Sequence, residues 1–592
     1  MKRLASAISL CVFFVLLVIP GSSQNNDSGS ADILFLNGRI YTAYPAQAWA
    51  DALAVKGQTI VAVGKNSELR KYQGPKTEVI DLHARMAMPG IIDSHTHFLR
   101  GSQGLGWIDL EGVSAAEQAK QRILAYTSSH PKADWVRGGG WLYGIFPPSG
   151  LPTKELLDEV VSDRPAAIDS YDLHSLWVNS QALKLAGITA NTADPVINGV
   201  TVGTIVRDPR TGEPTGLLKE AAMELIWRKI AQPPIDEQLA ALRAGLAYAN
   251  RLGITSIVNA SGDLEELRLY DELHRHGALT LRTTTAFALI GYPHRLTSEE
   301  LASFDEGRRR YHDDWVRAGV VKFFADGVVE THTAAMLEPY ADDPKLRGST
   351  NYTPEVFRNF VLELDRRNFQ IITHAIGDRA VRMALDAYEA AEMQNGPRDR
   401  RFRIDHIETV SPDDIPRFAR LGVVASMQPY HLCIGGCPDE GGVWATNLGP
   451  TRLRHAMAWQ ELEAAGSRLV FGSDWPVASL NPFFAIQTAI TRRDLHGQPA
   501  GGWHGEQKLT LEQVLAGYTR DAAYAAFLEN QVGTLQPRKY ADLIVLSQNL
   551  FDAPAHEISK TRVELTMVGG RIVYQAGSLA SSGSQGGGGH FD

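Results

Sequence analysis

The chain has 592 residues, 58 of them basic and 67 acidic, for a formal net charge of −9; 44% of its residues are hydrophobic and 21% charged. This is the balance of a folded protein with a sizeable core, and the length accommodates an α/β barrel of about 250 residues together with further domains. No basic run or Arg/Lys stripe interrupts the sequence, which argues against a nucleic-acid partner.

Met1-Lys2-Arg3 is followed by an almost unbroken apolar run from Leu4 to Pro20 and by the small residues Gly21-Ser22-Ser23. A basic start, an apolar stretch and a small-residue cleavage point form the pattern of a secretory signal over residues 1–23, implying an exported protein, periplasmic or secreted. A retained anchor is the competing reading, because about 17 apolar residues lie at the lower limit for a membrane span. Once the signal is removed, no stable membrane insertion is expected. Cys11 leaves with it, and Cys433 and Cys437 remain, separated by Ile-Gly-Gly. A local disulfide suits an oxidising compartment; two free thiols or a metal pair are the alternatives.

Residues 24–31 are polar and read as a linker. From Asp32 the texture changes to short apolar alternations. Ile33 to Thr42, Ala52 to Val55 and Thr59 to Val63 read as strands, and the far end repeats the pattern with Ala541 to Leu546, Val563 to Val568 and Arg571 to Tyr574. A few strands at either end cannot bury a face alone, so residues 32–84 and 531–576 are expected to build one small β-sandwich. Residues 577–592 are Gly/Ser-rich and are expected to be disordered.

Between these ends, over residues 85–530, apolar strand-like runs alternate with amphipathic stretches. The runs include Gly253 to Val258, Gly319 to Phe324, Phe369 to Thr373, Phe402 to Asp405, Val423 to Met427 and Arg468 to Phe471; Arg379 to Met393 and Ile415 to Leu421 read as helices. Such alternation implies a parallel sheet, and this many repeats imply an α/β fold closed as a (β/α)8 barrel. The Trp-rich, Pro-punctuated stretch from about 100 to 212 departs from the rhythm. It reads as an insertion after the first barrel strand, either a lid over the barrel mouth or a contact surface of a homodimer.

Metal-capable residues fall at the C-terminal ends of these strands, where barrel enzymes place their sites. Met88-Pro-Gly-Ile-Ile-Asp-Ser-His95-Thr-His97 ends an apolar run in His-x-His, and residues two apart on a strand share a face, so both imidazoles can meet one divalent ion. Lys322 lies within an apolar strand, where an unpaired ammonium is costly. Either it pairs with Asp326, or it is a neutral amine that adds carbon dioxide and bridges two metals as a carbamate. His374, His406 and Asp474 each close another strand. Taken singly, either histidine reads better as a satisfied core residue. A carboxylate such as Asp474 beside an activated water can accept its proton and pass it to a leaving nitrogen.

The ordered series His-x-His, Lys, His, His, Asp, with the finer motifs Lys322 to Gly327 (KFFADG), His374 to Arg379 (HAIGDR), Arg403 to His406 (RIDH), Gly472 to Val477 (GSDWPV), Trp177-Val-Asn-Ser180 and Ala541-Asp-Leu-Ile-Val545, closely resembles the amidohydrolase superfamily. The branch it resembles includes N-substituted formamide deformylases and related exported metal-dependent hydrolases, and the resemblance runs from about Ala31 to Tyr574. It implies that His95, His97 and Asp474 hold one ion, that His374 and His406 hold a second, and that carboxylated Lys322 bridges them. The cofactors implied are two divalent metal ions, with zinc first on ligand type.

The implied reaction is hydrolysis of a carbon–nitrogen bond, amide or formamide-like, in a small-molecule substrate. A hydroxide shared by the ions attacks, Asp474 shuttles the proton, and His174 donates to the substrate carbonyl or oxyanion. A structural role for His174 is the alternative. Trp107, Trp141, Tyr143, Trp475 and Arg492 are candidates either for the substrate pocket or for the core. Three further readings compete with this one: a mononuclear deaminase-like enzyme, an ester or lactone hydrolase of the same fold, and a metal- or ligand-binding protein without turnover.

Overall fold

The computed structural model describes residues 29–147, 150–197, 200–289, 295–434, 436–438 and 441–577. The signal at 1–23, linker residues 24–28 and tail residues 578–592 lie outside the described residues. Among the described residues no helix is long and apolar enough to cross a membrane.

The centre of the molecule is a parallel sheet of eight strands, here β1 (Ile91–Thr96), β2 (Ile254–Gly262), β3 (Arg282–Ala288), β4 (Val316–Phe324), β5 (Gln370–Ala375), β6 (Arg403–His406), β7 (Val424–Met427) and β8 (Leu469–Phe471). Each pairs with the next in sequence order, and the sheet curls until its ends nearly close. The seam is held just beyond β8. Thr96 bridges Trp475 in parallel, the Asp474 N–H donates to the His95 carbonyl at 2.7 Å, and Asp93 Oδ1 accepts the N–H groups of His95 and Ser473 at 3.1 and 3.0 Å. Gly472 lies at the closest approach, where a Cβ would stand 2.5 Å from the His95 nitrogen. Only glycine lets the two backbones meet there.

Strands buried on both faces read as continuous apolar runs, which is why most of the barrel was visible in the sequence. β3 was not. Its sequence Arg-Thr-Thr-Thr-Ala-Phe-Ala carries β-branched threonines in place of aliphatics, although six of its seven residues are buried. Inside the barrel, Ile92, Val258, Val320, Ile372, Val424 and Val470 pack against Ala522, Ala523 and Leu528, with helix Arg520–Ala525 contributing the two alanines. This apolar layer holds the strands in register below the site.

Both ends of the chain contribute to flanking sheets. A four-stranded sheet uses Ile33–Leu36, Ala52–Lys56, Thr59–Gly64 and Glu78–Asp81; in a six-stranded sheet, Met86–Pro89 lies between Arg39–Tyr41 and the C-terminal strand Leu543–Leu546. The single strand expected from Ile33 to Thr42 is broken at Asn37, whose φ of +55° turns the chain from one sheet to the other. Phe35, Leu53 and Ile60 share an apolar cluster with Val545, Leu565 and Met567.

One buried ion pair ties the C-terminal strands to the barrel. Arg282 of β3 reaches Asp542 through Nε at 2.7 Å and Nη2 at 3.1 Å, and its guanidinium lies over the rings of Trp315 and Tyr540 at 4.7 and 4.1 Å. Asp542→Ala is expected to lower unfolding free energy by at least about 3 kcal/mol, because it leaves the guanidinium buried without its counter-charge. Urea titration followed by circular dichroism measures the loss, and a decrease below about 1 kcal/mol would show that the pair contributes no more than a surface bridge.

The insertion forms a sheet of its own, with Val136–Trp141, Ala166–Ser170 and Ser175–Val178 at its centre. It runs on through Pro214–Glu220, past the expected end near 212, because that strand pairs with both Ser175–Val178 and Gly203–Arg207.

Candidate active site

All seven residues singled out from the sequence (His95, His97, His174, Lys322, His374, His406 and Asp474) line one cavity of about 570 Å³ at the C-terminal end of the barrel. Strand register explains how several arrive there. Lys322 of β4 pairs with Ile372 of β5, His374 with Asp405 of β6, Asp405 with Ser426 of β7, and Ser426 with Val470 of β8. Laterally paired residues share a face, so Lys322, His374 and Asp405 point inward with the apolar layer. Alternation would then send His406 outward. Its backbone is left-handed, with φ +74°, and its ring lines the cavity. Asp474 is likewise left-handed at φ +59°. Non-glycine residues in this region are uncommon and cluster at functional sites.

Asp474 stands among the imidazoles. Its Oδ1 lies 3.0 Å from His97 Nε2 and 3.2 Å from His95 Nε2, and its Oδ2 lies 4.0 Å from His406 Nδ1. Burial would push the Asp474 carboxyl up, but His95 and His97 hold it well below the usual carboxylate range. Burial takes His374 and His406 well below the ordinary imidazole value, helped by His174 in the first case and by His374 in the second. Both are therefore neutral and offer a lone pair. His97 Nδ1 meets Ser261 Oγ at 2.6 Å, and His374 Nε2 meets the Gly327 carbonyl at 3.3 Å. These contacts fix the rings and leave the opposite nitrogens for the cavity, the arrangement that metal-ligating histidines need.

The residues fit a divalent ion. His95, His406 and Asp474 place one ligand atom each within 4.8 Å of one another. His95 Nε2, His406 Nδ1 and Asp474 Oδ1 are buried and lack a hydrogen-bond partner of good geometry. Orphaned buried polar atoms are costly unless something satisfies them, and a cluster of imidazole and carboxylate donors suits zinc or a similar ion. His406, expected at the second ion, belongs to this tight triad, and His97 Nε2 lies 3.0 Å from the same Asp474 oxygen.

Lys322 is fully buried, and its partner is Asp405, with Nζ 2.9 Å from Oδ2, rather than the expected Asp326. Asp326 instead accepts the backbone N–H groups of Ala335, Ile376 and Gly377 at 2.8 to 3.0 Å and so shapes the loop after β4. Asp405 also lies 2.9 Å from His95 Nδ1 and 3.2 Å from an Arg403 nitrogen. Burial opposes its charge, yet Lys322, His95 and Arg403 together keep its carboxyl well below the usual range. The sequence showed Asp405 only as the residue before His406; its role as the hub of three basic groups depends on register across β1, β4 and β6.

The insertion supplies the cavity roof. His174 Nδ1 lies 2.9 Å from Glu220 Oε2, and Glu220 Oε1 accepts the Thr333 hydroxyl at 2.9 Å. Burial disfavours the imidazolium, but Glu220 outweighs it and pushes His174 up to about 9, so the ring is charged at neutral pH. Glu220, at φ +53°, gave no signal in the sequence beyond ending an apolar run. Glu330 and Glu408 also line the cavity. Burial first, then neighbouring carboxylates, push Glu330 up to about 7 and Glu408 to about 8.

Of the aromatic candidates, Tyr143 lines this cavity, whereas Trp107 and Trp475 line an adjoining one of about 550 Å³. Trp141 is wholly buried, and Arg492 is buried against Trp459 and Trp503. Cys433 and Cys437 form a disulfide in the loop between the two cavities, with Cys437 on one and Cys433 on the other.

Comparison with known proteins gives the family and the fold. Residues 78–574 match the family model described as the amidohydrolase family. The chain is 33% identical over 557 residues to Protein LONG AFTER FAR-RED 3 of Arabidopsis thaliana, covering 92% of each. It is 25% identical over 554 residues to the N-substituted formamide deformylase of Arthrobacter pascens, covering 92% of this chain and 98% of the relative. Among solved structures, an uncharacterized metal-dependent hydrolase from Pyrococcus horikoshii shares the fold with a TM-score of 0.69 at 22% identity, over 88% of this chain and 99% of the other.

Proposed function

The chain belongs to the amidohydrolase family, it is a metal-dependent hydrolase, and from that premise we propose that it cleaves a carbon–nitrogen bond in a small amide- or formamide-like substrate at a centre of two divalent ions, zinc first. The observation that carries this reading is the convergence of His95, His97, His374, His406 and Asp474 on one cavity, with unpartnered buried donor atoms among them. The choice of bond is supported by the relative named N-substituted formamide deformylase.

His95, His97 and Asp474 would hold one ion, His374 and His406 the other, and Lys322, if carboxylated, would bridge them. Bound ions of this kind supply a nucleophile at neutral pH and polarise a carbonyl. Asp474, in contact with the imidazoles, is placed to accept the proton of the attacking water and return it to the departing nitrogen. His174 has Nδ1 engaged by Glu220, which leaves Nε2–H to donate to oxygen as negative charge develops. The two terminal sheets read as one β-sandwich bracing the barrel, and the N-terminal pattern supports export.

A second reading, with a single ion, is favoured by one observation: Lys322 Nζ is already 2.9 Å from Asp405, an ion pair that a carbamate would have to replace. Elemental analysis of the purified protein beside Lys322→Ala separates the two. About two equivalents of zinc or a similar ion, falling sharply in the variant, are expected. About one equivalent, unchanged by the substitution, would give the mononuclear reading first place. An amide and ester screen on the same preparation then tests the bond.

A further inference from the structure

We infer that Asn259 is a positioning residue for His97, its buried carboxamide tying the backbone just after that histidine to the residue whose hydroxyl meets its ring. The inference rests on the hydrolase reading only for one consequence, that His97 held in this way contributes to binding a metal ion.

His97 stands outside the strand that leads to it. β1 ends at Thr96, which pairs with Asn259 of β2, and His97 itself, at φ −111°, opens the helix Phe98–Gly104. On the β8 side its N–H donates to the Trp475 carbonyl at 2.8 Å. On the β2 side the Asn259 side chain takes over where the ladder stops. Its Oδ1 accepts the Phe98 N–H at 2.8 Å, and its Nδ2 donates to the Ser261 carbonyl at 3.1 Å and to Glu266 Oε1 at 3.0 Å. Ser261 Oγ lies 2.6 Å from His97 Nδ1. One carboxamide thus fixes both the residue that follows His97 and the residue that meets its ring.

These partners call for asparagine. One N–H needs an acceptor and two oxygens need donors, which matches the single oxygen and two N–H groups of a carboxamide. Aspartate has no donor to offer. The anchor behind Asn259 is fixed as well. Glu266 lies in the first turn of the helix Leu264–Arg275, where Asp263 caps its N–H at 2.8 Å, and its Oε1 also accepts the Tyr270 hydroxyl at 2.9 Å. Asn259, Glu266 and Tyr270 are all buried. At Gly262 a Cβ would stand 2.9 Å from Asn259 Nδ2 and 3.0 Å from Glu266 Oε2, so the turn closes on this pair without a side chain. An asparagine that served the turn alone would leave His97 untouched. This one reaches it twice, through the backbone at Phe98 and through the ring at Ser261. Lys322 and His374 have strand register to place them, and His406 and Asp474 have left-handed backbones; His97 has neither.

The test uses the full chain with isotope-labelled histidine rings, read by NMR without metal and then by zinc competition against a chelator. His97→Gln identifies the His97 signal. In Asn259→Ala and in Ser261→Ala that signal is expected to move, while those of the exposed His83 and His556 and the circular dichroism spectrum hold. Each variant is expected to bind zinc at least about tenfold more weakly. The double variant is expected to lose no more than about the larger single loss, because both changes act through one ring. Asn259→Asp keeps the volume and the acceptor for Phe98 but loses both donors, and it gives the same comparison if the alanine variant does not fold. An unmoved His97 signal in a folded Asn259 variant, or zinc losses that multiply, would overturn the inference. A moved signal in a protein that retains no zinc would support the positioning and count against the hydrolase reading alone.

Discussion

Asp474→Asn is expected to lower kcat/KM by at least about a thousandfold while the protein stays folded. The amide is nearly isosteric and still offers an oxygen to His95 and His97, which lie 3.2 and 3.0 Å from Oδ1. It cannot carry a proton from water to a leaving nitrogen, and it removes the negative charge in contact with those imidazoles. Steady-state kinetics on whichever amide the screen yields, beside melting curves and metal content, give the measurement. Turnover within about tenfold of wild type would remove Asp474 from the proton path, since general acid–base groups contribute about a hundredfold or more. A protein that only retained metal or ligand would lose nothing comparable.

Asp405→Ala should cost the most stability, about 3–5 kcal/mol. The Asp405 carboxylate has no solvent exposure and lies within 3.2 Å of Lys322, His95 and Arg403. In the metal-free protein, where Lys322 carries no carbamate, two cations then remain buried with no counter-charge. Arg403 keeps hydrogen bonds to the Ser94 carbonyl and the Ser426 hydroxyl at 2.6 and 2.8 Å, but Lys322 has no other hydrogen bond among the described residues. Equilibrium urea unfolding reads the loss. The Lys322→Met/Asp405→Ala double variant should recover part of it, because removing both partners takes away the unpaired ammonium. A single-variant loss below about 1 kcal/mol would mean that Lys322 is not a buried cation, being carboxylated or deprotonated.

That His95, His97, Lys322, His374, His406 and Asp474 share one cavity was legible because metal-capable residues at the ends of apolar strands form a pattern that needs no knowledge of distance. The barrel was legible for the related reason that strands buried on both faces lose their alternation. What escaped depends on neighbours far apart in sequence. β3 hid because threonine replaces aliphatic residues on a buried strand. Asp405 looked like a flanking residue because two of its three basic partners, His95 and Lys322, come from other strands. Glu220, Glu330 and Glu408 are ordinary acids locally, and only the folded chain shows that they meet His174, Tyr171 and Trp444 in one enclosed space. The left-handed turns at His406 and Asp474, which point both side chains into the cavity, have no counterpart in residue type, since neither residue is glycine.

The strand Met86–Pro89 leads directly into β1, yet one of its two sheet neighbours is Leu543–Leu546. During synthesis, the edge of Met86–Pro89 therefore emerges from the ribosome long before the residues that cover it. Until translation is nearly finished, the nascent polypeptide presents an open strand edge beside the His95-Thr-His97 segment, a liability that chaperones or transport in an unfolded state must manage. A message cut short anywhere upstream of this late partner yields a product that cannot complete its sheet, so even a nonsense change close to the end of the gene would act as a null allele.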